Sequence, residues 1–218
     1  MLVQCVSVIF VAFSVLSQTT DPANTATTVF VKSGVTDGDG TTFETPIGSL
    51  RGACDLLAVT SDQGFAIKII KGDALKAEAI TFDKSTGITI EGIINADGTN
   101  GKVEIDCDAK SNSDLFTCKQ HVSFKYLIFN FPTILTQSSG TLKENAGSFA
   151  LIHADAESVS LVIDTCEFVR PTTGEVNIHL VKVSAGTLIM NQVECIHSET
   201  DVAFTVTPFM VDGAATVS

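Results

Sequence analysis

The sequence predicts an all-β fold, a parallel β-solenoid of about four coils with a helix covering its N-terminal end. Three observations carry this. One eight-residue pattern recurs four times, short strand-like runs separated by Gly, Asn, Asp and Ser lie between the copies, and a helix signal precedes them. The competing reading is a β-sandwich with irregular hairpins, which also has short strands and turns but does not require one bent pattern to recur.

The chain opens with MLVQCVSVIFVAFSVLSQTT, an apolar run of signal-peptide length with Val15 and Ser17 placed before a cut near Gln18. No Lys or Arg precedes it, and the alternative is a membrane anchor, for which a run of about 20 residues is needed. The expected organisation is a signal peptide at 1–17, a polar linker at 18–28 and one domain at 29–218, with a cap loop and helix at 29–60 and coils from 65 to 218. This predicts a secreted or cell-surface protein with no membrane span in the mature chain. Loss of Cys5 with the leader leaves Cys54, Cys107, Cys118, Cys166 and Cys195, an odd set for an oxidising compartment. Cys107 and Cys118, on neighbouring expected strands, are the better candidate pair.

Asp and Glu outnumber Lys and Arg 25 to 13, for a net charge of −12. That surface repels nucleic acid and anionic lipid, so neither is an expected partner.

Residues 29–50, VFVKSGVTDGDGTTFETPIGSL, read as a strand, a Gly/Asp/Thr loop and a helix start. Thr45 is the expected N-cap and Pro46 the first helical residue, followed by Ile47, Leu50, Cys54 and Leu57 at helical spacing. A calcium site needs about six oxygens, and Asp37 and Asp39 supply two carboxylates with no bidentate Glu in register. A phosphate loop would need GK[ST], which is absent. The loop is therefore read as a turn, with no cofactor expected and calcium only weakly supported.

The recurring pattern is φxφxxφxφ, with φ apolar: ITIEGIIN from Ile88, VSFKYLIF from Val122, LVIDTCEF from Leu161 and LIMNQVEC from Leu188. Only Asn95 breaks it. Within a copy, Ile88 and Ile90 face one side of a strand and Thr89 and Glu91 the other. The two successive x positions mark a bend. Between the copies, VEID at 103, LFTC at 115, FALIHA at 149, HLVKV at 179 and VAFTV at 202 read as further strands. The last interval, 27 residues, makes another copy due at 215, where the sequence stops. The expectation is an open end that associates with another copy of the chain, or a longer protein.

The run VFVKSGVTDGDGTTFETPIGSLRGACDLL, followed by FAIKIIKGD and GITIEGI, resembles the opening of secreted right-handed parallel β-helix proteins of the pectin-lyase-like superfamily. The resemblance covers residues 29 to 93 and, through the repeat, extends to 196. It implies a right-handed helix with an N-terminal capping helix, and it implies no single activity, since relatives include lyases, hydrolases and adhesins.

Stacked in register, the fourth positions form an outward row Glu91, Lys125, Asp164, Asn191, and the fifth positions a row Gly92, Tyr126, Thr165, Gln192. One reading of the row is a ladder that only satisfies neighbouring strands. The other is a carbohydrate-binding or adhesion strip of Glu91, Lys125, Tyr126, Asp164 and Asn191, with Tyr126 as a stacking platform and an extracellular polysaccharide or surface as partner. A lyase using Lys125 as base is the enzymatic alternative that the resemblance implies. Carboxylates on both sides favour the ammonium form, which cannot act as a base. The paired aspartates, Gly-His-Gly and Arg-x-Lys that the resemblance would imply for a hydrolase are missing, and His121, His153, His179 and His197 read as surface or turn residues. The expected function is a structural or carbohydrate-binding module with no catalytic constellation.

Overall fold

Alternation of apolar and polar residues over runs of three to six positions gives short strands with one face turned inward. The computed structural model describes residues 28–57, 64–83, 86–107, 113–130, 150–169, 175–176, 179–196, 203–204, 208–212 and 215–217. The expected signal peptide, the linker up to residue 27, and His197 lie outside the described residues.

Among the described residues the strands form three large parallel sheets and a small fourth one, in which Glu175–Val176 pairs with Ala203–Phe204. Sheet A runs Thr28–Val31, Phe65–Ile70, Ile88–Ile93, Val122–Lys125, Ser160–Asp164, Gly186–Asn191 and Ala215–Val217. Sheet B runs Leu75–Lys76, Val103–Asp106, Leu127–Asn130, Glu167–Val169 and Glu194–Ile196. Sheet C runs Ile80–Phe82, Phe116–Cys118, Ala150–Ala154, His179–Val183 and Phe209–Val211. From Phe65 onward the chain visits A, B and C in rotation, the arrangement of a parallel β-solenoid. It does so five times among the described residues, one round more than the four repeat copies. The extra round begins at FAIKII, where Gly72 occupies the eighth place and hides the pattern. A further sheet A strand, Ala215–Val217, follows, with Val217 in register with Leu188, two places beyond the residue 215 at which the spacing made the next copy due.

The repeat copies are in register. Ile88 pairs with Val122, Val122 with Leu161, and Leu161 with Leu188. The bend lies at the fifth place, where Tyr126, Thr165 and Gln192 have φ of 55°, 54° and 51°. A left-handed residue costs a non-glycine side chain roughly 1–2 kcal/mol. That cost is accepted at the same corner of three successive coils, because one such residue redirects the strand from sheet A to sheet B while keeping apolar residues inward.

The inward positions form one apolar column. Phe82, Phe116, Phe124, Phe129 and Phe168 are fully buried and stack from coil to coil, with centroids 5.1–6.4 Å apart. Full burial of one such side chain is worth about 1.5–3 kcal/mol. Cys107, Cys118 and Cys166 also lie in this column as unbridged thiols, so the expected Cys107–Cys118 pair is not formed. Cys107 instead turns its thiol to Ile105 O, 3.5 Å away. Burial pushes the Cys107 and Cys118 thiols well up and Cys166 up to about 11.

The helix is Leu50–Leu56, shorter than expected, and Ser49 rather than Thr45 caps it by accepting from Gly52 N–H at 3.1 Å. Thr45 is already committed to the loop, donating its hydroxyl to Asp39 Oδ1 at 2.6 Å. Ahead of the helix the chain is still extended, since Ile47 bridges Val31 and exchanges hydrogen bonds with Phe30 and Lys32. Leu50, Ala53 and Leu57 join the apolar cluster alongside Val29 and Val31.

The Gly/Asp/Thr loop is a turn of the Asx kind. Asp39 Oδ1 accepts from Thr41 N–H and Thr41 Oγ1, each at 2.9 Å, and from Thr45 Oγ1. Asp97 repeats the device, accepting from Thr99 N–H at 2.8 Å and Thr99 Oγ1 at 2.5 Å. In both Asp-Gly-Thr triplets the glycine has positive φ, +74° at Gly40 and +81° at Gly98, a conformation that glycine adopts without steric cost.

Candidate functional site

Sheet A presents two outward rows. The fourth-place row unites Glu91, Lys125, Asp164 and Asn191, as the repeat register requires, and extends one strand further to Lys68. Along the axis the side chains read Lys, Glu, Lys, Asp, Asn, one every 4.8 Å or so. Lys68 Nζ lies 3.6 Å from Glu91 Oε1, and Asn191 Nδ2 donates to Asp164 Oδ1 at 2.9 Å. Thr165 Oγ1, on the corner row, bonds both Asp164 Oδ1 and Gln192 Oε1 at 3.1 Å. Tyr126, half-buried at the same corner, donates its N–H to Asp164 O at 3.2 Å. Gly92 differs from the other fifth-place residues, for it lies within the strand Ile88–Ile93.

The second-place row is built from small residues: Ala66, Thr89, Ser123 and Val162. They floor an open groove of about 530 Å³, edged by Gly64, Gly87, His121 and Ser160. Ser123 Oγ is buried there with no hydrogen-bond partner in the structure. A polar oxygen left in that state costs about 1–3 kcal/mol. Of the histidines, His121 is exposed and accepts from Ser160 N–H at 3.0 Å, a turn role, whereas His179 is buried, contrary to expectation.

Lys125 stands between Glu91 and Asp164 in register.

His153 lies on the outer face of a strand and not at a turn. It sits in the strand Ala150–Ala154, on the outward row of sheet C that runs Thr81, Thr117, His153, Lys182, Met210. Its Nδ1 is 2.6 Å from Asp114 Oδ2 and its Nε2 is 2.9 Å from Ser184 Oγ. Asp114 Oδ1 also accepts from Ala150 N–H at 2.7 Å, which ties the carboxylate to the neighbouring coil. Asp114 and Ser184 escaped the sequence reading because 39 and 31 residues separate them from His153. Stacking of consecutive coils is what brings them together.

Partial burial pushes the Asp114 carboxyl up. The His153 bond, the Ala150 N–H and the charges of His153 and Lys182 outweigh it, and hold the group below its ordinary value of 3.8. Asp39 and Asp97 are lowered too, chiefly by the Thr45 and Thr99 hydroxyls respectively. A carboxyl whose pKa falls on folding adds stability above its unfolded value and loses it as pH drops through the folded one. Denaturant unfolding followed from pH 7 to pH 2 should therefore show native protein more stable than Asp114→Asn at neutral pH. The difference should shrink as the pH falls below 3.8. A difference that grows on acidification would contradict this.

No family model, no curated protein and no solved structure matches the chain.

Proposed function

We propose that the chain is a secreted or cell-surface module that binds an extended polysaccharide along sheet A without cleaving it. In this reading the solenoid is a right-handed β-helix of the pectin-lyase-like kind, with the helix Leu50–Leu56 capping its first coil. Crossovers between parallel strands are right-handed in nearly all proteins, and a solenoid's terminal coil needs a cover.

The observation that carries the proposal is the pairing of two rows on one face: a floor of small side chains directly beside a ladder of charges, both in register over successive coils. A polymer lying along the axis meets one floor residue and one ladder residue on every coil. Sugar hydroxyls find acceptors in Glu91 and Asp164 and an amide in Asn191. Uronate carboxylates find Lys68 and Lys125. Tyr126 offers a ring at the edge of the strip.

Affinity electrophoresis tests this. Migration of the native protein should be retarded in gels containing a uronate polysaccharide. Ser123→Trp, which fills the outward floor, and Lys125→Ala, which removes a charged donor, should each weaken retention by about tenfold, the worth of one charge-assisted contact. Unretarded native protein, or variants retained as well as native, would sink the proposal. Unsaturated sugar product that disappears in Lys125→Ala would replace it with a lyase.

A further inference from the structure

Three polar side chains on three successive coils form a continuous relay on sheet C: Asp114 ahead of the strand Phe116–Cys118, His153 within Ala150–Ala154, and Ser184 just after His179–Val183. We propose that Asp114, His153 and Ser184 form a nucleophilic site that cleaves esters of small carboxylic acids.

The order of donors and acceptors supports it. An ionised Asp114 can only accept, so His153 Nδ1–H donates the 2.6 Å contact, and in the imidazole form of the ring Nε2 carries no proton. Nε2 is then left with its lone pair facing the Ser184 hydroxyl at 2.9 Å. This is the geometry in which an imidazole activates a serine, with nucleophile and base in hydrogen-bond reach and a third group fixing the tautomer.

The surroundings fit a small acyl group on a shallow surface. The His153 and Asp114 side chains are 14% and 18% exposed, so solvent and substrate reach the edge of the site. Ala185 and Gly186 follow Ser184 and put no bulky side chain beside its oxygen. Ser184 N–H donates to Ala154 O at 2.9 Å, which fixes the residue at the corner. Lys182, in register with His153, contributes positive charge on the same outward row.

The reaction balances without a cofactor. Ser184 Oγ bonds to the ester carbonyl carbon as its proton passes to His153 Nε2, and the carbonyl oxygen takes up the negative charge. Collapse breaks the bond to the alcohol, which leaves with the proton from Nε2. Water then adds to the acyl-serine by the same route in reverse, releasing the acid and restoring the hydroxyl. Asp114 is a positioning residue throughout.

The test uses the full chain, an alkyl fluorophosphonate probe and p-nitrophenyl acetate. The fluorophosphonate forms a P–O bond to an activated serine and expels fluoride, so the expected result is a single adduct mapped to the peptide containing Ser184, with turnover of the acetate. Ser184→Ala and His153→Gln should reduce both by at least about 100-fold, the low end of a positioned base's contribution. Asp114→Asn should slow labelling, and Asp114→Glu should restore part of it, a rescue that loss of a mere staple would not predict. Ser184→Ala removes one oxygen from a corner, and an unchanged circular dichroism spectrum would verify its fold. Peptide mapping on native protein decides independently of any variant. No adduct on native protein, an adduct elsewhere, or labelling that persists in Ser184→Ala overturns the inference. None of these outcomes bears on polysaccharide binding by sheet A.

Discussion

Phe129→Ala should destabilise the protein by about 3–5 kcal/mol, the range for truncating a fully buried aromatic side chain. Phe129 stacks on Phe168 at 5.1 Å and meets Phe124 and Phe116 edge-on at 5.9 and 6.4 Å. It therefore joins the rings of three consecutive coils. Each aromatic contact adds about 0.5–1.5 kcal/mol beyond the buried area, and a coil has only its two neighbours to lean on. Against a total stability of 5–15 kcal/mol for typical proteins, the loss would unfold a substantial fraction of the chain. Phe129→Leu retains most of the volume and should cost less than half as much. Urea unfolding would show it as a lower midpoint for Phe129→Ala. A midpoint within error of the native one would mean that the aromatic column does not hold the coils together.

How much of this was readable beforehand follows from the range of each signal. Ile88, Val122, Leu161 and Leu188 announced their alignment because inward alternation is local, and stacked coils then place equal positions side by side. The row Glu91, Lys125, Asp164, Asn191 came with it. Lys68 did not, because Gly72 interrupts the pattern in its coil. The helix start was misjudged for a tertiary reason: Thr45 has the chemistry of an N-cap, but Asp39 engages its hydroxyl and Ile47 pairs with the first strand. The relay on sheet C lay beyond any local signal. Ser184 carries no elbow motif, and Asp114 and His153 share no spacing rule, so only the coil stack relates them.

Gly92→Ala should cost about 3 kcal/mol or more although it adds a single methyl group, and it should disturb the strip on sheet A as well. Overpacking normally costs about 1–3 kcal/mol, with the low values found where a side chain can move aside. Here the new Cβ would lie 2.3 Å from Tyr126 O and 2.4 Å from Gly101 O, both backbone atoms, and 2.9 Å from Val103 Cγ2. Neither oxygen is at liberty to retreat: Tyr126 O accepts from Val103 N–H at 3.1 Å, and Gly101 donates to Gly92 O at 3.1 Å. The reason lies in the first repeat copy, which runs straight through the fifth place where later copies turn with Tyr126, Thr165 and Gln192. The excursion through Asp97 then returns across Gly92. Relief of the clash must shift either the strand Ile88–Ile93 or its neighbour Val122–Lys125, which moves Glu91 away from Lys68 and Lys125. Gly92→Ala should therefore lower the urea midpoint and weaken retention on uronate polysaccharide together. Thr89→Ala, three positions earlier on the outward floor, should stay within about 0.5 kcal/mol of native stability. Equal midpoints for the two variants would show that the backbone does not close over Gly92, and that the Glu91 row owes its register to something else.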